Sequence, residues 1–273
     1  MVCEIKSIYE GCVQGYEFLP GKECVKGTIL TFGGSEGGCL FDIAQNLAEN
    51  GQHVYALYYF GKTCLPATLS QIELNFFEKV VTYLRDTQVS LQPLTIVGAS
   101  RGAELALLLA SYYPTMVSHL VLFSPSAYAF QGIQGKGTWL YQGKELPYIR
   151  FSRKSTFNQL VSRIKKQPFI WANEFRKETA HNKNALVAQI DPALYLGDML
   201  LFVGKMDQVW HSLDMAELLL QKVGGKRCEV HIYEEAGHCF YPGYSLGGTF
   251  DGNAFAQQDS LRRMNEKIVE WHQ

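Results

Sequence analysis

Several things are scarce or missing in this sequence, and each absence narrows the field. No apolar run among the 273 residues reaches the roughly 20 needed to cross a bilayer, so no membrane span is expected. The start, Met1 to Lys6, mixes polar and apolar residues and lacks the apolar core of a signal peptide. Lys and Arg total 25 against 26 Asp and Glu, a net charge of −1, and no basic stripe stands out. Nucleic acid is therefore not an expected partner. There is no C-x-x-C: the seven cysteines, at positions 3, 12, 24, 39, 64, 228 and 239, are odd in number and irregular in spacing. That pattern speaks against a zinc site or a redox dithiol, and for reduced thiols in a cytoplasmic setting. Internal repeats, low-complexity tracts and linkers are missing too. Neither G-x-G-x-x-G nor a Walker lysine occurs, which removes the usual nucleotide cradles. No metal or cofactor is expected.

What remains is a globular composition, 47% hydrophobic and 19% charged, long enough for one large domain with a full core. Short alternating segments from Met1 to Gly21, broken at Glu10-Gly11, predict an N-terminal antiparallel hairpin. Val25 to Phe32 reads as a buried strand, ending in Gly33-Gly34-Ser35-Glu36-Gly37-Gly38. A helix follows to Asn50, then a strand from His53 to Phe60. Ser70-x-x-Glu73 has the form of a capping box opening a helix whose apolar face carries Phe76, Phe77, Val80, Val81 and Leu84. Further strands are expected at 94–97, 120–123, 199–203 and 228–232, with helices between them, at Ser212 to Val223 and at the C-terminus. Strands alternating with helices predict an α/β fold, a mostly parallel central sheet with helices on both faces. From about 127 to 192 the pattern degrades into a Gly-, Gln- and Lys-rich stretch carrying several aromatic residues. It reads either as a cap inserted over the site, with one or two short helices, or as a decorated surface loop, within a single domain of residues 1–273.

The chemistry is concentrated at three strand ends. Gly98-x-Ser100-x-Gly102 lies between Leu94-Thr95-Ile96-Val97 and an apolar helix. This is a nucleophile elbow: a serine raised on a sharp turn, with small neighbours because strand and helix cross closely. Asp207 follows a later strand and His238 the last one, so the order is serine, acid, histidine. Parallel strands bring their C-terminal loops to one edge, where these residues can meet. A serine hydroxyl needs a base to take its proton, and a histidine can do so near neutral pH. Asp207 would hold the ring in the right tautomer. Glu235 is a rival acid, less favourable because it shares a loop with His238. An oxyanion needs two N–H donors: the backbone of Arg101, and Gly34 or Ser35 in the glycine-rich loop. The Arg101 side chain is left to orient substrate or to pair with Glu104 or Glu36. Trp210 and His211 are candidates to line the substrate pocket or merely to pack. Cys239 reads as a packing residue.

These residues resemble a known family. Ala56-Leu57-Tyr58-Tyr59-Phe60, Leu65-Pro66, the block Ile72 to Glu78, the elbow Gly98 to Leu105, Leu201 to Trp210 and Gly237 to Tyr244 are similar to the C-terminal catalytic domain shared by acyl-CoA thioester hydrolases and bile acid-CoA:amino acid N-acyltransferases. The resemblance implies an α/β-hydrolase fold, a Ser100, Asp207, His238 triad and an acyl-enzyme intermediate. The acyltransferases carry cysteine at the nucleophile, so Ser100 implies hydrolysis. The expected activity is thus a serine hydrolase acting on a small-molecule acyl thioester or ester. A general carboxylesterase or small peptidase is the alternative, and a non-catalytic module that kept the fold is a further one. A homodimer is left open.

Overall fold

The computed structural model describes residues 2–22, 24–87, 90–165, 169–243 and 246–273. Tyr244, quoted above for the resemblance, lies outside them. The N-terminal hairpin is present as β1 (Glu4–Glu10) and β2 (Val13–Leu19), paired antiparallel. Then come β3 (Thr28–Phe32), α1 (Phe41–Glu49), β4 (Val54–Tyr58), the short β5 (Ile72–Glu73) and α2 (Phe76–Asp86). The elbow joins β6 (Leu94–Ala99) to α3 (Arg101–Tyr112), and β7 (His119–Phe123) follows. After a long intervening stretch the pattern resumes with β10 (Asp198–Gly204), α6 (Ser212–Val223), β11 (Cys228–Tyr233) and α7 (Phe250–Trp271). The stretch in between holds β8 (Trp139–Tyr141), β9 (Lys144–Glu145), α4 (Arg153–Ile164) and α5 (Trp171–His181).

Eight strands form one sheet in the order β1-β2-β4-β3-β6-β7-β10-β11. From β4 to β11 neighbours run parallel, and β1 and β2 add an antiparallel edge. The central strands β3 and β6 are buried along their whole length, as expected of strands covered on both faces. Two apolar cores lie on the two faces. One packs α2, α3 and α6, with Leu84, Leu105, Leu109 and Leu219, and extends into the 127–192 stretch through Phe130, Trp139 and Phe175. The other packs α1 and α7 through Leu47, Phe202, Met264 and Ile268. Among the described residues no helix is long and apolar enough to cross a membrane.

One local expectation fails. The Ser70-x-x-Glu73 pattern does not cap a helix. Ile72 and Glu73 are extended and pair with Trp139 and Leu140 of β8, while β8 pairs antiparallel with β9. The backbone of Gln71 is left-handed, at φ 56, which carries the chain into that pairing. Glu73 accepts the N–H of Gly143 at 2.8 Å rather than turning back on Ser70. The helix starts three residues later, at Phe76. The same small sheet was missed within 127–192, where the two helices α4 and α5 are 12 and 11 residues long.

The elbow's glycines are a steric requirement. A Cβ on Gly102 would lie 2.1 Å from the carbonyl oxygen of Phe32, and one on Gly98 would lie 2.3 Å from that of Gly102. Those contacts are backbone, so nothing can swing away. Gly102→Ala is therefore expected to destabilise the fold by about 1–3 kcal/mol, read as a lower urea midpoint with unchanged slope. An unchanged midpoint would show that the strand and helix do not cross this closely.

Candidate active site

Ser100 sits at φ 56, ψ −117, a strained position for a residue with a side chain. It is held there by its own N–H bonding the carbonyl of Phe123 at 3.0 Å, and by its carbonyl accepting the N–H groups of Ala103 and Glu104. The first turn of α3 is thus tied to the serine, and the helix N-terminus faces the hydroxyl.

The other two residues arrive from neighbouring strand ends. Asp207 follows β10, where a bridge to Gly247 fixes its loop. His238 follows β11; its N–H bonds the carbonyl of Leu246 at 3.1 Å, and Gly237 before it donates to Asn253 Oδ1 of α7. The result is a chain of hydrogen bonds. His238 Nε2 lies 2.8 Å from Ser100 Oγ, and His238 Nδ1 lies 2.8 Å from Asp207 Oδ2. The side chains of His238 and Asp207 are 5% and 3% exposed, so water competes little for these bonds. Burial opposes a charge on the imidazole, but Cys239 and Asp207 outweigh it and hold His238 well above its ordinary 6.5.

Asp207 is satisfied on all sides. Oδ1 accepts the N–H groups of Val209 and Trp210, and Oδ2 also accepts Ser212 Oγ at 2.8 Å. Glu235, the rival acid, packs against α7 instead, accepting the N–H of Thr249 through its carbonyl. Ser212 was not singled out from sequence. Nor was Ser124, at φ 46 after β7, whose Oγ accepts the N–H of Cys239 and so anchors the histidine turn. The Ser124-Pro125-Ser126 break after a buried strand was the only signal for it.

Other candidates fall where their local partners put them. The Arg101 side chain pairs with Glu104 at 2.8 Å and donates to the carbonyl of Gln131 at 2.9 Å. Of the three options left open for it, the structure takes pairing with Glu104. Glu104 is wholly buried, and burial raises its pKa against the pull of Arg101. It also accepts Trp139 Nε1 at 2.6 Å and the N–H of Phe130, so it ties α3 to the 127–192 stretch. Trp210 is 1% exposed; its ring edge meets His238 and its Nε1 donates to the carbonyl of Ser124 at 2.9 Å. His211 is buried, bonds Thr179 through Nε2, and has its pKa lowered to about 4 by burial. In the glycine-rich loop, the Gly34 N–H is already taken by Glu36 Oε1 at 2.8 Å, while Ser35 is exposed. A Cβ on Gly34 would lie 3.2 Å from Ser100 Cβ, which places that loop directly against the nucleophile candidate. Among the described residues no cluster of three or more His, Cys, Asp or Glu side chains could hold a metal ion.

The comparisons agree with this geometry at the level of fold and family. The family model described as BAAT / acyl-CoA thioester hydrolase C terminal matches residues 72–260. Acyl-coenzyme A thioesterase 6 of Mus musculus is 30% identical over 243 residues, 87% of this chain and 54% of that protein. Acyl-coenzyme A amino acid N-acyltransferase 1 of the same species is 26% identical over 282 residues, 96% of this chain and 64% of that one. The chain thus spans roughly half to two thirds of the length of these relatives. Among solved structures, an esterase of Pyrococcus furiosus superposes with a TM-score of 0.62 at 14% identity, covering 99% of this chain and 92% of the esterase. A dienelactone hydrolase of Anabaena variabilis superposes with a TM-score of 0.53 at 14% identity, covering 98% and 96%. At such identities these two likenesses speak to the fold. The chain has the α/β-hydrolase fold and belongs to the BAAT / acyl-CoA thioester hydrolase C-terminal family.

Proposed function

We propose that this chain is a serine hydrolase that cleaves an acyl-CoA thioester through an acyl-serine intermediate. The observation that carries the reading is the unbroken Ser100–His238–Asp207 hydrogen-bond chain, 2.8 Å at both links. In the first step His238 Nε2 takes the Ser100 proton as Oγ bonds the acyl carbon. The carbon–sulfur bond then breaks, and the sulfur leaves with the proton from His238. In the second step water gives a proton to His238 and attacks the acyl ester. Ser100 takes the proton back and the free acid departs. Asp207 keeps Nδ1 protonated and stabilises the imidazolium.

The oxyanion donors we propose are the N–H groups of Arg101 and Ser35. Arg101 opens α3, so its N–H has no carbonyl one turn back within the helix. Gly34 is the weaker option while Glu36 occupies its N–H. Trp210 supports the site by packing on His238.

We further propose that residues 127–192 act as a cap. They carry an open groove of about 1270 Å³. Its two acids are engaged: Glu174 pairs with Lys177, and Glu178 accepts from Ser152, Ser155 and Asn182. Glu178 keeps its charge because its partners are neutral, so Arg150, Arg153, Lys154, Lys177 and Lys183 face Glu174 and Glu178 and the groove carries a surplus of positive charge. The groove reaches Gln131, whose carbonyl is bonded by Arg101, beside Ser100. Such a surface suits the phosphates of CoA better than the neutral alcohol of a simple ester.

Three measurements test this reading. Ser100→Ala should lower kcat for an acyl-CoA by about 10⁴-fold or more without changing the unfolding midpoint; a loss under tenfold would exclude the acyl-serine route. The base must be neutral to act, and its pKa is raised. The acid limb of kcat/KM for an uncharged p-nitrophenyl ester should therefore have its midpoint above 6.5, and Asp207→Asn should shift it down. A wild-type midpoint at or below 6.5 would contradict the raised pKa of His238. The double variant Arg150→Ala, Lys183→Ala should raise KM for an acyl-CoA about tenfold relative to the p-nitrophenyl ester. Equal effects on both substrates would remove the groove from CoA recognition.

A further inference from the structure

A second cavity, of about 300 Å³, lies on the α1 and α7 face of the sheet edge. Its apolar wall is built by Leu40, Ile43, Phe123, Phe240 and Leu261. Three of its lining residues adjoin the candidate site along the chain or through a hydrogen bond. Ala99 in its wall immediately precedes Ser100, and Cys239 immediately follows His238. Glu36 stands at its rim and bonds Gly34, the residue whose missing Cβ would touch Ser100. Three of the lining residues are held in left-handed backbone: Leu40 at φ 59, Cys239 at φ 53 and Phe240 at φ 59. Bulky side chains rarely adopt that conformation, and such strain persists where the surrounding structure imposes it, as at ligand clamps.

We propose that this cavity receives the aliphatic part of the acyl group carried by Ser100, and that Ile43 and Leu261 limit its length. The proposal rests on the acyl-serine reading above. The wall offers no cation, and the carboxylates of Glu36 and Asp42 both line the cavity, so an anionic ligand is disfavoured and a neutral hydrocarbon chain is fitted. At about 30 Å³ for a methylene-sized group, the share a water takes in the liquid, the space holds about ten carbons. The same two carboxylates would reject an acyl chain that ends in a second carboxylate.

A series of p-nitrophenyl esters from acetate to myristate tests the pocket. In the wild type, kcat/KM should rise about two- to fourfold per added methylene, as buried methylenes do, up to about ten carbons and then stop rising. Leu261→Trp and Ile43→Trp fill the cavity from α7 and from α1. Each should lower the ratio of kcat/KM for the octanoate ester over the acetate ester about tenfold or more. Calorimetry of 1-octanol binding to the Ser100→Ala protein reads the pocket without catalysis, and Leu261→Trp in that background should weaken binding about tenfold. An unchanged ester ratio in both tryptophan variants, or octanol binding indifferent to Leu261→Trp, would overturn the pocket while leaving the role of Ser100 standing. No turnover of any ester by the wild type would instead count against the acyl-serine reading, and octanol binding would still decide the pocket.

Discussion

Everything at the candidate site depends on how closely β6 and α3 cross. Gly98 and Gly102 meet across the turn with no room for a methyl group, and Ser100 is forced into a left-handed backbone between them. The strain has a definite return. It lifts the hydroxyl out of the sheet edge and aims the first turn of α3 at the space above it. The wholly buried β6 and a helix buried from Arg101 to Ala110 hold the turn rigid, so the serine cannot relax.

Around that fixed point, polar groups are connected rather than isolated. Asp207 accepts from two backbone N–H groups, from Ser212 and from His238, which keeps an almost fully buried carboxylate satisfied. Ser124 ties the turn after His238 to the end of β7. Glu104 performs the equivalent task toward the 127–192 stretch, joining Arg101, Trp139 and Phe130 in one buried network. A half-satisfied carboxylate at either place would destabilise the fold, so both act as specific fasteners. Phe175 packs edge to face on Phe130 and Trp210, and Trp210 in turn meets His238, which completes the link between the intervening stretch and the site.

The legible parts of the sequence were those governed by local rules. The helix expected at Ser212 to Val223 is α6, and the buried strands β3, β6 and β10 read directly as apolar runs. Chain order and strand ends were enough to bring Ser100, Asp207 and His238 into consideration together, and the structure places them within hydrogen-bonding distance. What escaped depends on distant partners. Ile72 and Glu73 look like part of a helix entry until Trp139 and Leu140 are known to lie beside them, 67 positions along the chain at each pair. Glu36 reads as a loop carboxylate, yet its bond to Gly34 N–H bears on which oxyanion donor is free. Trp171 and Phe175 share one face of α5, but Tyr128, Phe130, Trp139, Tyr141 and Tyr148 lie outside helices and pack on surfaces made by other segments, so they carry no helical periodicity.

The most direct measurement is mass spectrometry of the protein after brief treatment with a fluorophosphonate, which reacts far faster with a serine whose proton is being withdrawn than with an ordinary one. The account predicts a single adduct on the peptide carrying Ser100, lost in His238→Ala although the serine remains. A wild-type protein that stays unmodified, or an adduct that forms equally well without His238, would contradict it.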